Sequence, residues 1–402
     1  MNKGDNVIPA IEGGSAVRQK YLVFGSPMIE EAEIEEVVKA LRSRWIGTGP
    51  KVTLFESMFR DYTGSPHAVG LHSCTAALHL ALLAARVQQG DEVIIPAMTF
   101  CATANAVIHA GAKPVMVDVD ADDMNITAQH IEKAITAKTK AIIPVHMAGR
   151  PCDMTPILAL AKAHDLRVIE DAAHATEGVY QSQKIGALSD ATCFSFYVTK
   201  NLVTGEGGML TTPHADWAER IQVMGLHGMS RGAWKRYSDE GFKHYQVTEA
   251  GFKYNMMDLQ AAIGVHQLPR MERYLQVREK VWRRYDAAFA ALPMTLPAPV
   301  RQGDVHARHL YTILLDLDGL KVNRDYIVDA LHAENIGVGI HFIGLQMHPY
   351  YQDRFGYRDE DFPVTLDLSM RTISLPLSAA LQDKEVDDVI AAVHKVISYY
   401  RR

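Results

Sequence analysis

The 402-residue chain predicts an α/β fold: a large unit on a mostly parallel sheet of seven strands, followed by a smaller α+β unit. Two observations carry this. Between residues 67 and 212, short apolar runs alternate with helical segments, the pattern of strand, crossover helix and next strand. Beyond residue 293 two further apolar runs and one long amphipathic segment stand apart from that alternation, and the chain is long enough to form two cores.

In order, residues 1–25 are mixed in composition and are expected to form an N-terminal arm wrapped over another part of the molecule. The large unit is placed at 26–270. After Pro27, IEEAEIEEVVKALRSR repeats Ile34, Val37, Val38 and Leu41 at helical spacing. WIGTGP at 45–50 breaks that helix, and KVTLFESMFRDYTG supplies the next, ending near Gly64. HAVGL, EVIIP, KPVMVDV, KAIIPV, RVIED, ATCFSF and GGMLTT then read as seven strands, with helices such as TAALHLALLAAR, CATANAVIHAG, AQHIEKAIT and TPILALAKAHD between them. A helix beyond Pro213 leads into HGMSRGAWKRYSDEGFKHYQ, which has no period. A long irregular segment inside a compact protein is more often functional than idle. A long helix through about residue 292 opens the small unit at 271–402, with strands at YTILLDL and GVGIHFI and a closing helix around VDDVIAAVHKVISYY.

The net charge of −6, with 48% hydrophobic and 22% charged residues, gives no basic footprint for nucleic acid. No run approaches the ~20 apolar residues of a membrane span and the first residues lack a signal-peptide core, so a soluble, cytoplasmic protein is expected. Cys74, Cys101, Cys152 and Cys193 show no C-x-x-C pairing and read as reduced, and no metal cluster is evident.

In sheets of this kind ligands bind beyond the carboxyl ends of the strands, and three such ends stand out. HAVGL runs into HSCTAALHLAL, a small-residue turn opening a helix, where backbone N–H groups and the hydroxyls of Ser73 and Thr75 suit an anion such as a phosphate; the competing reading is plain helix capping. RVIED ends in Asp171, followed by Ala172, Ala173 and His174. A buried carboxylate there suits a protonated pyridine nitrogen, against the alternative of a helix-start aspartate and a satisfied histidine. ATCFSF ends near Ser195, five residues before Lys200, and Gly205, Gly207 and Gly208 permit a tight reversal into the next strand. Partial burial beside apolar groups would lower the pKa of Lys200 and favour amine chemistry. Anchor, electron sink and Schiff-base partner together are what pyridoxal phosphate (PLP) requires. Phe100, after EVIIP, then becomes a candidate to stack on the pyridine face, or else a core aromatic.

VIEDAAHATEG, FSFYVTKN with GEGGML, and GFKYNMMDLQAAIG, in this order and spacing, resemble the sugar aminotransferase family of fold-type-I PLP enzymes. RWIGTGPK, PAMTFCATANAV, PVHMAGRPCDM, HFIGLQMHPYY and ISLPLS extend the resemblance over about residues 21 to 400. The resemblance implies that Lys200 forms the internal Schiff base and shuttles the proton, Asp171 pairs with the pyridine nitrogen, Phe100 stacks on the ring and His174 lies beside it. Thr75, the backbone of Ala76 and Ser195 would hold the phosphate, with Ser73 in the same turn and Cys74 packing under it. An asparagine of the partner subunit at the position of Asn255 would also reach the phosphate, implying a homodimer with shared active sites; Arg231 and His341 would meet the nucleotide-sugar. The implied reaction is a ping-pong transfer from L-glutamate to a nucleotide-linked 3-keto or 4-keto sugar. Retention of Lys200 argues against the sister branch that carries histidine there and performs dehydration or deoxygenation. AIEGGSAVR keeps a cyclitol aminotransferase open, and a non-catalytic PLP-binding regulator would need a partner-binding module that is not evident.

Overall fold

The computed structural model describes residues 8–230 and 245–402. Its helices are α1 (Glu31–Ser43), α2 (Pro50–Thr63), α3 (Cys74–Ala84), α4 (Cys101–His109), α5 (Ala128–Ala134), α6 (Met154–Ala163), α7 (Ala215–Gly225), α8 (Asp258–Gln267) and α9 (Met271–Phe289), then α10 (Arg324–Ala333), α11 (Pro349–Phe355), α12 (Pro363–Arg371) and α13 (Asp383–Tyr400). The strands are β1 (His67–Leu71), β2 (Glu92–Pro96), β3 (Lys113–Val117), β4 (Thr139–Ile142), β5 (Arg167–Asp171), the short hairpin β6 (Val179–Tyr180) and β7 (Gln183–Lys184), β8 (Ala191–Ser195), β9 (Gly208–Thr212), β10 (Met294–Thr295), β11 (Tyr311–Leu315) and β12 (Thr372–Leu375).

All seven apolar runs of the first half fall in one sheet, in the order β1-β9-β8-β5-β4-β2-β3. The pairs β3/β2, β2/β4, β4/β5 and β5/β8 are parallel, whereas β9 runs antiparallel to both β8 and β1. The reversal is made by the glycine segment after β8, where Gly205 takes a φ of 81° and a side chain would be strained. Strand residues alternate between two cores. On one face Ile95, Ile143, Ile169, Cys193 and Leu210 pack with α3. On the other, Ile94, Ile142, Val168, Phe194 and Met209 pack with Phe55 and Phe59 of α2. Phe196 and Phe194 meet the rings of Phe59 at 5.6 and 4.9 Å, so the chain leaves β8 over a fixed aromatic floor. Asp258 ties α8 to α2 by accepting the N–H groups of Lys51 (3.2 Å) and Val52 (3.0 Å) at the α2 N-terminus, where a carboxylate meets the positive end of the helix.

The second sheet has the order β10-β11-β12 and its own core, in which Trp282, Tyr285 and Phe289 of α9 pack with Tyr311, Ile313, Ile373, Val389 and Val393. Its third strand departs from expectation. GVGIHFI is not a strand; within it only Gly339 pairs, in a single bridge to Ser374, and the strand is Thr372–Leu375 instead. The reason is the N-terminal arm. Gly337 N–H donates to Leu22 O at 2.9 Å and Leu22 N–H to Asn335 O at 2.8 Å, so the start of this stretch is tied to the arm and only Gly339 exchanges backbone bonds with Ser374. The arm also seats Ala10 and Val17 N–H on the Glu334 carboxylate, both at 2.8 Å, and stacks Phe24 on His341 at 5.5 Å. Among the described residues no helix is long and apolar enough to cross a membrane.

The free edge of β1 is covered by α2, where Glu56 Oε1 accepts the Gly70 N–H at 2.8 Å. Burial pushes the Glu56 carboxyl up to about 7. An acid that titrates higher folded than unfolded (~4.3) binds an extra proton in the folded state between those values, so stability declines as pH rises through that window. Glu56→Gln is therefore expected to melt higher than the parent at pH 8 and to lose that advantage at pH 5, read by circular dichroism melts.

Candidate active site

The carboxyl ends of β1, β5 and β8 converge. Ser195 pairs with Gly208 across the β8/β9 reversal, and a Cβ on Gly208 would collide with the backbone of Ser73 and Cys74. Only glycine lets β9 pass this close, and the contact brings the first turn of α3 beside Ser195. Ser73 caps α3 with its Oγ accepting the Ala76 N–H at 3.1 Å, and its hydroxyl also lies 2.9 Å from His72 Nδ1. For Ser73 the capping reading therefore holds, and the Ala76 N–H assigned to a phosphate is already donated to it. Thr75 is half-buried, and no hydrogen bond of its hydroxyl occurs among the described residues.

Asp171 is 5% exposed at the end of β5. Oδ2 accepts the Thr103 hydroxyl at 2.8 Å, Oδ1 accepts the Ala173 N–H at 3.1 Å, and Cys74 Sγ lies 3.9 Å from Oδ1. Burial pushes this carboxyl up, while the Thr103 and Ala173 bonds and the charge of Lys200 pull it back. Lys200 lies in the turn after β8, its N–H donating to Tyr197 O at 2.8 Å. Burial lowers its amine to about 8, and the opposing charge of Asp171 keeps it from falling further. In cofactor-free protein, acetylation of Lys200 followed by peptide mass analysis is expected to rise with a midpoint near the same pH, below the ~10.4 of exposed lysines.

Around Lys200 stand three histidines. His174 is 7% exposed and its buried Nδ1 has no partner, so it is not the satisfied core histidine of the alternative reading. Its ring lies 4.4 Å from that of His309 and 6.0 Å from that of Phe342. His341 accepts or donates at Nδ1 to Ser374 Oγ (3.0 Å), and burial with the Lys200 charge lowers it to about 4. Burial and Lys200 hold His174 and His309 well below the ordinary histidine value too, so all three are neutral at pH 7. Phe100 is the N-cap residue of α4 and 57% exposed, which removes the core-aromatic reading. It faces Phe342 at 5.9 Å, and a cleft of about 580 Å³ lined by both, with Asn105, His109, His348 and Tyr350, opens beside it. A second cleft of about 810 Å³ runs along α9, lined by none of these residues.

Two expected residues are not gathered here. Asn255 bridges to Leu71 through its backbone, but its side chain donates to Thr48 Oγ1 and accepts from Lys253 Nζ, both at 2.6 Å. Arg231 lies outside the described residues. Conversely, Thr103 and His309 join the site although neither stands at the end of an apolar run. The Thr99–Thr103 pair at helical spacing, hydroxyls 2.9 Å apart, was a legible signal for the first. Nor did the sequence mark Glu170, which on the far face of β5 is fully buried and held by His146 Nε2 (2.8 Å), Ser189 Oγ (2.6 Å) and Thr192 Oγ1 (2.9 Å).

The donor set fits PLP. Among the described residues Asp171 has no cation in salt-bridge range, so a protonated ring nitrogen would supply its missing counter-charge; the orphaned His174 Nδ1 would gain a partner, the exposed Phe100 could face a ring, and the half-buried Thr75 hydroxyl, unspent among the described residues, suits a phosphate. Comparison with known proteins agrees. The DegT/DnrJ/EryC1/StrS aminotransferase family profile matches residues 27–394. The spore coat polysaccharide biosynthesis protein SpsC of Bacillus subtilis (strain 168) is 48% identical over 381 residues, 94% of this chain and 98% of that protein. The PLP form of Spr1654 from Streptococcus pneumoniae superposes with a TM-score of 0.86 at 34% identity, covering 94% of this chain and 99% of the other. PseC of Helicobacter pylori, an aminotransferase involved in the biosynthesis of pseudoaminic acid, gives 0.88 at 28% identity, covering 95% and 100%. From the match of its sequence and of its fold alike, the chain belongs to the DegT/DnrJ/EryC1/StrS aminotransferase family.

Proposed function

We propose that this PLP-dependent aminotransferase converts a nucleotide-linked keto-sugar, carbonyl at C3 or C4, into an amino sugar, with L-glutamate as amino donor in a ping-pong cycle. The observation that carries the reading is the Lys200 amine, lowered to about 8, in the same buried site as an Asp171 carboxylate with no cation in salt-bridge range among the described residues. PLP, when bound, supplies an electrophilic carbon and an electron sink. The chain's residues do the rest. Lys200 holds the cofactor and, deprotonated, moves the proton at the substrate carbon; a base that titrates near neutrality suits both directions of transfer. Asp171 keeps the ring nitrogen protonated. Neutral His174 offers a hydrogen bond without adding charge, and Phe100 packs on the ring face. Thr75 and Ser195 hold the phosphate.

The names of SpsC and PseC favour a role in polysaccharide or sugar biosynthesis. We place the enzyme in the cytoplasm as a homodimer, Asn255 of the partner subunit completing the phosphate site. Exposed Val23, Ile34, Leu41 and Leu54 on the arm, α1 and α2 support pairing with a second copy.

Borohydride reduction of the loaded protein should leave the pyridoxyl adduct on Lys200, and an adduct elsewhere would sink the assignment. Incubation with glutamate and a panel of nucleotide-linked 3-keto and 4-keto sugars and cyclitol ketones then tests the substrate; turnover of a cyclitol ketone alone would overturn the sugar reading. Mixing the inactive variants Lys200→Ala and Asn255→Ala should restore part of the activity if sites are shared, and none if they are not.

A further inference from the structure

His309 is assigned no task by the reaction above, yet its environment specifies its protonation more closely than that of any other histidine near Lys200. Its Nδ1 lies 3.0 Å from Asn201 Oδ1, and Asn201 is the residue immediately after Lys200. The amide of Asn201 has one allowed orientation. Its Nδ2 lies 2.9 Å from Glu177 Oε2 and 2.8 Å from the Ala307 carbonyl. Exchanging the amide oxygen and nitrogen would set the oxygen against a carbonyl that can only accept. Nδ2 therefore donates twice, Oδ1 can only accept, and the proton of the Asn201–His309 bond sits on His309 Nδ1.

The support behind Asn201 is itself buried. Glu177 pairs with Arg278 of α9, both 2% exposed or less, and Arg278 also reaches Ala307 O at 3.3 Å. The segment carrying His309 is held from the other side as well. Ala307 N–H donates to Gly149 O at 2.8 Å and His309 N–H to Ala148 O at 3.1 Å, while a Cβ on Gly149 would press on His174 O at 2.8 Å. His309 thus stands fixed against His174, where the Lys200 charge reaches it. Burial, with Lys200, His341, Arg278 and His306 as the charged or titratable groups facing it, disfavours a second proton. With Nδ1 protonated, Nε2 keeps its lone pair, and it has no hydrogen bond among the described residues.

We propose that Asn201, braced by the Glu177–Arg278 ion pair, is a positioning residue that fixes His309 with its proton on Nδ1, so that Nε2 serves the Lys200 site as a hydrogen-bond acceptor. The group it serves is an N–H or O–H donor, either the Lys200 amine itself or a hydroxyl of the incoming sugar. This use rests on Lys200 being the reactive amine; the tautomer does not.

The tautomer is read directly on cofactor-free protein labelled with ¹⁵N-histidine, by NMR correlation of the ring nitrogens with the ring C–H groups, His309 being assigned by its loss in His309→Asn. A protonated Nδ1 and a bare Nε2 between about pH 6 and 8 are expected, and Asn201→Ala should release the proton toward Nε2. A protonated Nε2 in the parent protein overturns the proposal. The acceptor is tested by two substitutions that do not depend on Asn201. Asn at 309 can reproduce the bond to Asn201 but not reach the position of Nε2, whereas the oxygen of Gln can. His309→Asn should lose about five- to tenfold in kcat/KM, the worth of one neutral hydrogen bond, and His309→Gln should recover most of it. If the donor is a sugar hydroxyl, His309→Asn raises KM for the sugar and leaves the glutamate half-reaction unchanged. If the donor is Lys200, His309→Asn lowers the Lys200 acetylation midpoint in cofactor-free protein, because an acceptor favours the ammonium form. A His309→Asn enzyme that matches the parent in all three readouts overturns the acceptor, while failure of the sugar panel alone leaves the tautomer result standing.

Discussion

Lys200→Ala is expected to lower transamination by at least about 1,000-fold, because one substitution removes the covalent anchor and the proton carrier together. The loss should appear in the glutamate half-reaction alone, followed as 2-oxoglutarate released in a single turnover. Lys200→Arg tests which property matters. A guanidinium keeps the positive charge but never gives up its proton near neutral pH, so it should be as inactive as Ala. If Arg retained more than a few per cent of activity, charge rather than proton transfer would be the contribution of the residue. The fold should tolerate the change to Ala. No side-chain hydrogen bond of Lys200 occurs among the described residues, and its amine titrates lower folded than it would unfolded, so the charged form at pH 7 is a cost that Ala removes. A melting temperature in Lys200→Ala no lower than that of the cofactor-free parent is the accompanying expectation.

Asp171→Asn should cost roughly 10²- to 5 × 10³-fold in kcat/KM, the range set by breaking a buried charge pair of about 3 to 5 kcal/mol. The amide oxygen can still accept the Ala173 N–H while Nδ2 donates to the Thr103 hydroxyl oxygen, whose own proton turns to Thr99, so the shape of the site survives while its negative charge does not. Stability should move the other way. The Asp171 carboxyl is raised in the folded, cofactor-free chain, so the folded state binds more protons than the unfolded state above the ordinary carboxylate range, and stability declines as pH rises through that window. Asp171→Asn escapes that decline. Cofactor-free Asp171→Asn should therefore melt above the parent at pH 8, and its Lys200 acetylation midpoint should fall below about 8, since Asp171 is what holds that amine up. A variant that lost activity and melted lower would mean that Asp171 is structural in the first place.

The residues with chemistry at strand ends were legible because the sequence itself marks them. RVIED and ATCFSF are apolar runs that stop at Asp171 and just before Lys200, and a parallel sheet turns every such stop toward one side. Asn201 and Glu177 follow shortly after those runs but carry no signal of their own, since their task depends on His309, on the approach to β11, and on Arg278 of α9. GVGIHFI failed for a related reason. Its apolar spacing suits a strand, but spacing does not say which neighbour takes the backbone bonds, and here the arm residue Leu22 takes that of Gly337 while only Gly339 pairs with β12. Ser73 and Thr75 looked alike in sequence. The bond to Ala76 N–H marks Ser73 as the cap, and the Thr75 hydroxyl makes none among the described residues.

The place of β9 between β1 and β8 governs when the protein can come into being. His67 of β1 has its partner in Thr212, and β1 touches the sheet through no other strand. During synthesis β1 and the turn behind it therefore wait, unpaired, until the chain has been made through β9, and the loop they close is long. The pairing of β9 is what seats the α3 turn beside Ser195, so that side of the pocket cannot be complete before β9 is in place. Only once β9 has left the ribosome does the nascent chain hold both sides of that pairing free to meet.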